Sequence, residues 1–215
     1  MLLELPIPAL TALVTRQVEN LFGLDPGAER VALAACIPPA LTRCEHCFSH
    51  TGNKYYHREG QTYFNPFHSG QYTIFLYFLS RVIFTNSPEH RTLADRVYYL
   101  NRALNAVDLY YEVEMPPVFF LDHPLGSVLG RARYGNFFTF AQNCTVGNNK
   151  GAYPTIGEHV TMMSGSKLLG GCTVGDRVIL AANCYVKDTD IPPCSIVFGS
   201  SPDLAIKTKD ESYFA

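Results

Sequence analysis

The sequence predicts an α+β chain: a mainly α-helical N-terminal part over residues 1–105, followed by a left-handed parallel β-helix over residues 106–215. Three observations carry this. Apolar residues recur at helical spacing near both ends of the first part. Aliphatic residues recur every six positions through most of the second. Glycine follows several of those positions directly.

In the first part, Leu10, Leu13, Val14, Val18, Leu21 and Phe22 form one apolar helical stripe. Leu93, Val97, Leu100 and Leu104 form another, and Ser87, Pro88 and Glu89 give that helix the chemistry of an N-terminus. The apolar run Tyr72 to Phe84 is too short to cross a bilayer and contains Arg81, so a buried helix is expected. Between these lies His50 to Gly70, rich in aromatic, Gly, Asn and His residues without a period, which reads as an irregular loop.

The second part is a repeat. Counting in sixes gives Ile156, Met162, Leu168, Val174, Leu180 and Val186, all aliphatic. The same count gives Tyr134, Phe140 and Val146, which join the series after an insertion around Asn148 to Tyr153. Each hexapeptide would make one flat side of a triangular coil, with its aliphatic residue pointing inward. Glycine and other small residues would turn the corners, where positive φ is needed. Three hexapeptides close a coil, and stacked coils pair as parallel strands.

Composition bounds the function. The chain has 47% hydrophobic and 17% charged residues and a formal net charge of −2, which offers no footprint for nucleic acid. The start, MLLELPIPAL, lacks the pattern of a signal peptide. Seven cysteines without a disulfide spacing pattern suit reduced thiols, so a cytoplasmic location with no membrane span is expected. Cys44-x-x-Cys47, with His46, His50 and His57 nearby, leaves two readings, a structural zinc site or cysteines in a loop. No second Cys-x-x-Cys exists, and no metal ligand is assigned.

Leu121-Asp122-His123-Pro124-Leu125-Gly126 followed by Val128-Leu129-Gly130 resembles the opening of the serine acetyltransferase branch of the hexapeptide-repeat acyltransferases. Gln142 to Gly147, Pro154 to Gly157, Gly165 to Gly170 and Gly199 to Pro202 resemble that family's later segments, in order. The resemblance covers roughly residues 107–207. It implies acetyl-CoA as donor, an O-acetyltransferase activity and His123 as catalytic base. It also implies a supporting carboxylate fifteen residues earlier, where Val107-Asp108-Leu109 stands, with Glu112 and Glu114 as rivals. Asp122 matches a substrate-contacting residue, and Tyr153 and Gln142 are further acceptor-site candidates. By position, Gly147, Ser164, Ala182 and Ser201 would line the CoA groove, with Lys207 toward the adenosine phosphates.

The chemistry fits this assignment. A neutral hydroxyl attacks a thioester poorly unless a base takes its proton. Imidazole titrates near neutrality and can pass that proton to the leaving thiolate, while a carboxylate behind the ring would fix its tautomer. Flat apolar faces on the coils call for burial between copies, so a homotrimer or dimer of trimers is expected.

The chain departs from the family at Ala152-Tyr153, where the family carries Arg-His against the serine carboxylate. A lost guanidinium clamp removes about 1.5–3 kcal/mol of charge-assisted contact. Tyr153 offers stacking surface instead, so a saccharide or nucleotide-sugar acceptor is expected, with L-serine or a serine-like alcohol as the alternative. His68 could reach toward the same acceptor. A zinc carbonic anhydrase would need three histidines on neighbouring faces, and from Asp108 onward there are only His123 and His159. A non-catalytic scaffold is the other alternative, against which the His123 motif argues.

Overall fold

The computed structural model describes residues 1–214. They form two compact units, Met1–Asn105 with Tyr110–Glu112, and Ala106–Leu109 with the residues from Val113 onward.

The first unit is built on four helices: α1 (Ile7–Phe22), α2 (Ala28–Phe48), α3 (Ser69–Asn86) and α4 (Arg91–Asn105). α1 buries Leu10, Val14 and Val18, but Leu21 is exposed, so its stripe is narrower than the sequence pattern. α3 is the expected buried helix, with every residue from Gly70 to Ser80 inaccessible. Arg81 leaves this run by donating to the Tyr111 carbonyl at 2.9 Å. Among the described residues no helix is long and apolar enough to cross a membrane.

Three features depart from the sequence reading. Ser87 makes no side-chain cap; Pro88–His90 form a 3₁₀ turn first, and α4 begins at Arg91. The segment His50 to Gly70 holds a hairpin, His57–Arg58 against Gln61–Phe64, turned by Glu59 and Gly60 at φ 53° and 73°. Positive φ at both turn residues matches the twist of the flanking strands. Two- and four-residue strands are too short to show a period. α2 runs through Pro38 and Pro39, which on sequence grounds argue against a helix. It persists because Leu33, Ile37, Leu41, Cys44 and Phe48 all bury in the core. Cys44 and Cys47 therefore sit on a packed helix, not in a loop, and burial pushes the Cys44 thiol well up. Among the described residues no group of three or more His, Cys, Asp or Glu gathers as a metal site.

The second unit is the parallel β-helix, with one strand of each coil on each of three faces. One face stacks Arg133–Tyr134, Thr155–Ile156 and Thr173–Val174. A second runs from Asp108–Leu109 through Val128–Leu129, Thr145–Gly147 and Lys167–Leu169 to Tyr185–Lys187. A third runs from Phe119–Leu121 through Phe138–Phe140, Thr161–Met162 and Ile179–Leu180 to Ser195–Ser200. The register is that of the period: Tyr134 lies beside Ile156, Phe140 beside Met162 and Val146 beside Leu168. The insertion after Val146 is absorbed by a short loop closed between Asn149 and Ala152.

Two residues per side point inward. Phe140, Met162, Leu168, Leu180 and Val186 are fully buried, while Tyr134 is only half-buried and donates to the Gly130 carbonyl at 2.7 Å. Two positions before most of the repeat residues stands a second, smaller buried one, among them Cys144, Val160, Ser166, Cys172, Val178 and Cys184, while Phe138 holds that place before Phe140. That inner column explains three of the seven cysteines. Cys144, Cys172 and Cys184 are all buried there. The last strand returns antiparallel through Asp203–Thr208, closing the lower end.

Candidate active site

His123 lies in the turn between the third and second faces of the first coil. The turn is fixed from both sides. Asp122 N–H donates to the Phe140 carbonyl at 2.9 Å, Gly126 N–H to Ala106 at 2.8 Å, and Leu125 N–H to His123 at 2.8 Å. Ser127 Oγ donates to the Ala141 carbonyl at 2.8 Å and accepts from Cys144 N–H at 3.0 Å. His123 itself is left-handed, with φ 49°, a conformation uncommon for a residue with a Cβ. Its side chain is 83% exposed, so the ring projects from the coil and can be reached by a substrate.

The carboxylate beside the ring is that of Asp122, 3.5 Å from Nε2, where Asp108 is expected from the sequence. That is ion-pair range, longer than a hydrogen bond. Asp108 stands in the neighbouring coil, beside Val128, and its N–H donates to the Ser127 carbonyl at 2.8 Å. Its strand thus flanks the segment that leaves the histidine turn. Of the rivals, Glu112 belongs to the helical unit, held there by Arg91, and Glu114 is exposed. His68 caps α3, 3.3 Å from Gln71 N–H, and is also part of the helical unit.

From the histidine turn a line of residues descends one edge of the prism. Asn143 N–H donates to Leu125, Gly165 N–H to Gln142 and Asn183 N–H to Ser164, at 2.8–2.9 Å. These rungs place Leu125, Gln142, Ser164 and Ala182 one above another. Side chains there are uncharged, and Leu125 and the neighbouring Met163 are 58% and 45% exposed. A narrow edge of this kind suits a flexible chain held by backbone amides more than by side-chain charge.

The other candidates fall elsewhere. Gly147 is at the far end of the second face, beside Leu169. Ser201 is on the last coil, its hydroxyl accepting from Lys187 N–H at 2.9 Å. Lys207 is on the returning strand, with its ammonium 5.4 Å from the Phe198 ring centroid. Tyr153 follows the inserted loop, between the second face and the first, and is 47% exposed. That loop is pinned by Asp188, which accepts from the Asn149 side chain and from Gly171 N–H.

One pair escapes the sequence reading. Gly126 has φ 75°, and a Cβ there would stand 2.3 Å from Asn143 Oδ1. Gly165 and Asn183 repeat the arrangement lower on the edge, also at 2.3 Å. The signal was a glycine three positions before an inward aliphatic residue. Gly126→Ala is expected to destabilise the fold by about 1–3 kcal/mol, through strained φ and the clash with Asn143. A urea midpoint equal to wild type would show that the turn yields without cost.

The region from residue 153 to 188 matches the family model described as bacterial transferase hexapeptide (six repeats). A serine acetyltransferase of Bacillus licheniformis is 32% identical over 139 residues, covering 55% of this chain and 64% of its own length. One of Helicobacter pylori is 30% identical over 126 residues, covering 53% of this chain and 73% of its own. A solved serine acetyltransferase from Brucella abortus, in complex with coenzyme A, superposes with a TM-score of 0.66 at 19% identity, covering 93% of this chain and 82% of that one.

Proposed function

We propose that this chain, which belongs to the serine acetyltransferase-like family of hexapeptide-repeat acyltransferases, moves an acetyl group from acetyl-CoA to the hydroxyl of L-serine or a serine-like alcohol. The observation that carries the catalytic part is the exposed His123 ring at the head of the edge formed by Leu125, Gln142, Ser164 and Ala182. A pantetheine arm lying along that edge would bring its thioester to the imidazole. His123 takes the acceptor's hydroxyl proton as the oxygen attacks the acetyl carbon. The C–O bond forms, the C–S bond breaks, and the same proton passes to the leaving thiolate. No acetyl group rests on the enzyme. Asp108 is the proposed support for the imidazole, and Asp122, 3.5 Å from Nε2, competes for that role.

The acceptor reverses the preference drawn from Ala152-Tyr153. The relatives that match across more than half of this chain are named serine acetyltransferases, and none of the matches reported above is a sugar enzyme. Losing a guanidinium clamp weakens the grip on a carboxylate but leaves the hydroxyl chemistry untouched. An exposed tyrosine is by itself no sugar site. Tyr153, Gln142 and Asp122 remain proposed acceptor contacts, and Gly147, Ser201 and Lys207 proposed CoA contacts. Tyr153 lies at a different corner from His123, so a complete acceptor site would need a second copy, as in a homotrimer or a dimer of trimers. A reducing, cytoplasmic setting fits the seven cysteines, none joined in a disulfide.

The test is thiol release from acetyl-CoA with L-serine, homoserine and a panel of saccharides. L-serine should turn over, with a KM raised about 10–100-fold over an enzyme that keeps the clamp, the equivalent of about 1.5–3 kcal/mol. Turnover of a saccharide with none of L-serine or homoserine would overturn the acceptor reading.

A further inference from the structure

The corners of the β-helix all require left-handed backbone, but they are not built from the same residues. Along the edge below His123 the corner residues are Gly126, Asn143, Gly165 and Asn183, types that adopt positive φ readily. At the corner between the first and third faces they are Phe137, His159, Arg177 and Cys194, with φ of 62°, 57°, 54° and 52°. Phe137 and Arg177 are less usual in that region than Gly, Asn or His. Backbone rungs stack the four residues, from His159 N–H to Asn136, Arg177 N–H to Glu158 and Cys194 N–H to Asp176. The Phe137 and His159 rings lie face to face, 4.3 Å apart and 6° from parallel. Arg177 comes one coil lower, about 4.8 Å on at the strand spacing.

This ladder of planar groups opens into a cavity of about 370 Å³ lined by His159, Arg177, Glu211, Ser212 and Phe214. The tail that forms its other wall is attached to the same column, through Lys209 N–H to the Cys194 carbonyl at 2.8 Å. It presents a carboxylate to the guanidinium: Glu211 Oε1 lies 3.5 Å from Arg177 Nη1, too far for a hydrogen bond, and its side chain is 78% exposed.

We propose that this corner is a binding site for a small planar carboxylate, separate from the acetyl-transfer site. Arg177 takes the carboxylate in a two-pronged hydrogen-bonded pair and displaces Glu211. The Phe214 ring and the His159 edge flank the plane of the ligand, and Ser212 offers a hydroxyl to its rim.

Calorimetric titration of the full chain with benzoate tests this, with inorganic phosphate as the comparison anion. Benzoate should bind saturably at one site per chain. Arg177→Gln should weaken it at least 10-fold, Arg177→Lys should retain part of the affinity, and Glu211→Gln should tighten it several-fold by removing the internal competitor. His123→Ala should leave benzoate binding unchanged, which separates this site from the proposed catalytic one. Circular dichroism checks that each variant folds. No saturable binding, equal binding by folded Arg177→Gln, or phosphate binding in place of benzoate would each overturn the proposal.

Discussion

His123→Ala should lower kcat by about 10²–10⁴-fold while the KM for acetyl-CoA changes little, because the variant removes the proposed proton acceptor and leaves the groove edge intact. The two candidate carboxylates should make distinct contributions to the outcome. Asp108→Asn should act on kcat alone if it orients the ring from the neighbouring coil. Asp122→Asn should raise the acceptor KM if that residue meets the substrate, and should act on kcat if its place 3.5 Å from Nε2 is the working one. Steady-state kinetics with L-serine and acetyl-CoA separate these effects. Near wild-type turnover by His123→Ala would remove the base from the mechanism and the mechanism from the site.

Phe140→Ala should cost about 3–5 kcal/mol, the largest loss of stability expected from a single substitution here. The ring is fully buried in the coil, stacked 6.0 Å from Phe138, with Met162 in register beneath it. Coils stack tightly at strand spacing, so the void cannot collapse from above or below. A fall in Tm on the order of 10 °C should follow. Activity should fall at lower temperature too, since the Phe140 carbonyl holds Asp122 N–H and so one side of the histidine turn. Tyr134→Ala, at the half-buried repeat position, should cost much less. A loss under about 1 kcal/mol for Phe140→Ala would mean that the interior is not packed as described.

The β-helix was legible in the chain alone, because in a hexapeptide coil each side needs one large inward residue and each corner a permissive one. Those needs are local, so Ile156 through Val186 can be counted off in the chain. It also marked His123, through the turn Leu121 to Gly126 and the glycine at its end. The buried helix over Tyr72 to Phe84 was legible for the same reason: one continuous apolar run admits one environment.

Other features depend on packing across the fold. The helix through Pro38 and Pro39 persists because burial of Leu33, Ile37 and Leu41 outweighs two missing donors, a balance that local propensity cannot express. The hairpin at His57 to Phe64 is too short to carry a period. Asp122 lies 3.5 Å from His123 Nε2, a proximity that separation along the chain does not report for Asp108. The cysteines at 144, 172 and 184 read as scattered thiols until the coil shows one inner position repeated. Gln142, Ser164 and Ala182 become one edge only when the coils are stacked, and Phe137, His159 and Arg177 become one ladder for the same reason. A period tells which residues share a coil position; the pairing of the coils tells what those positions build together.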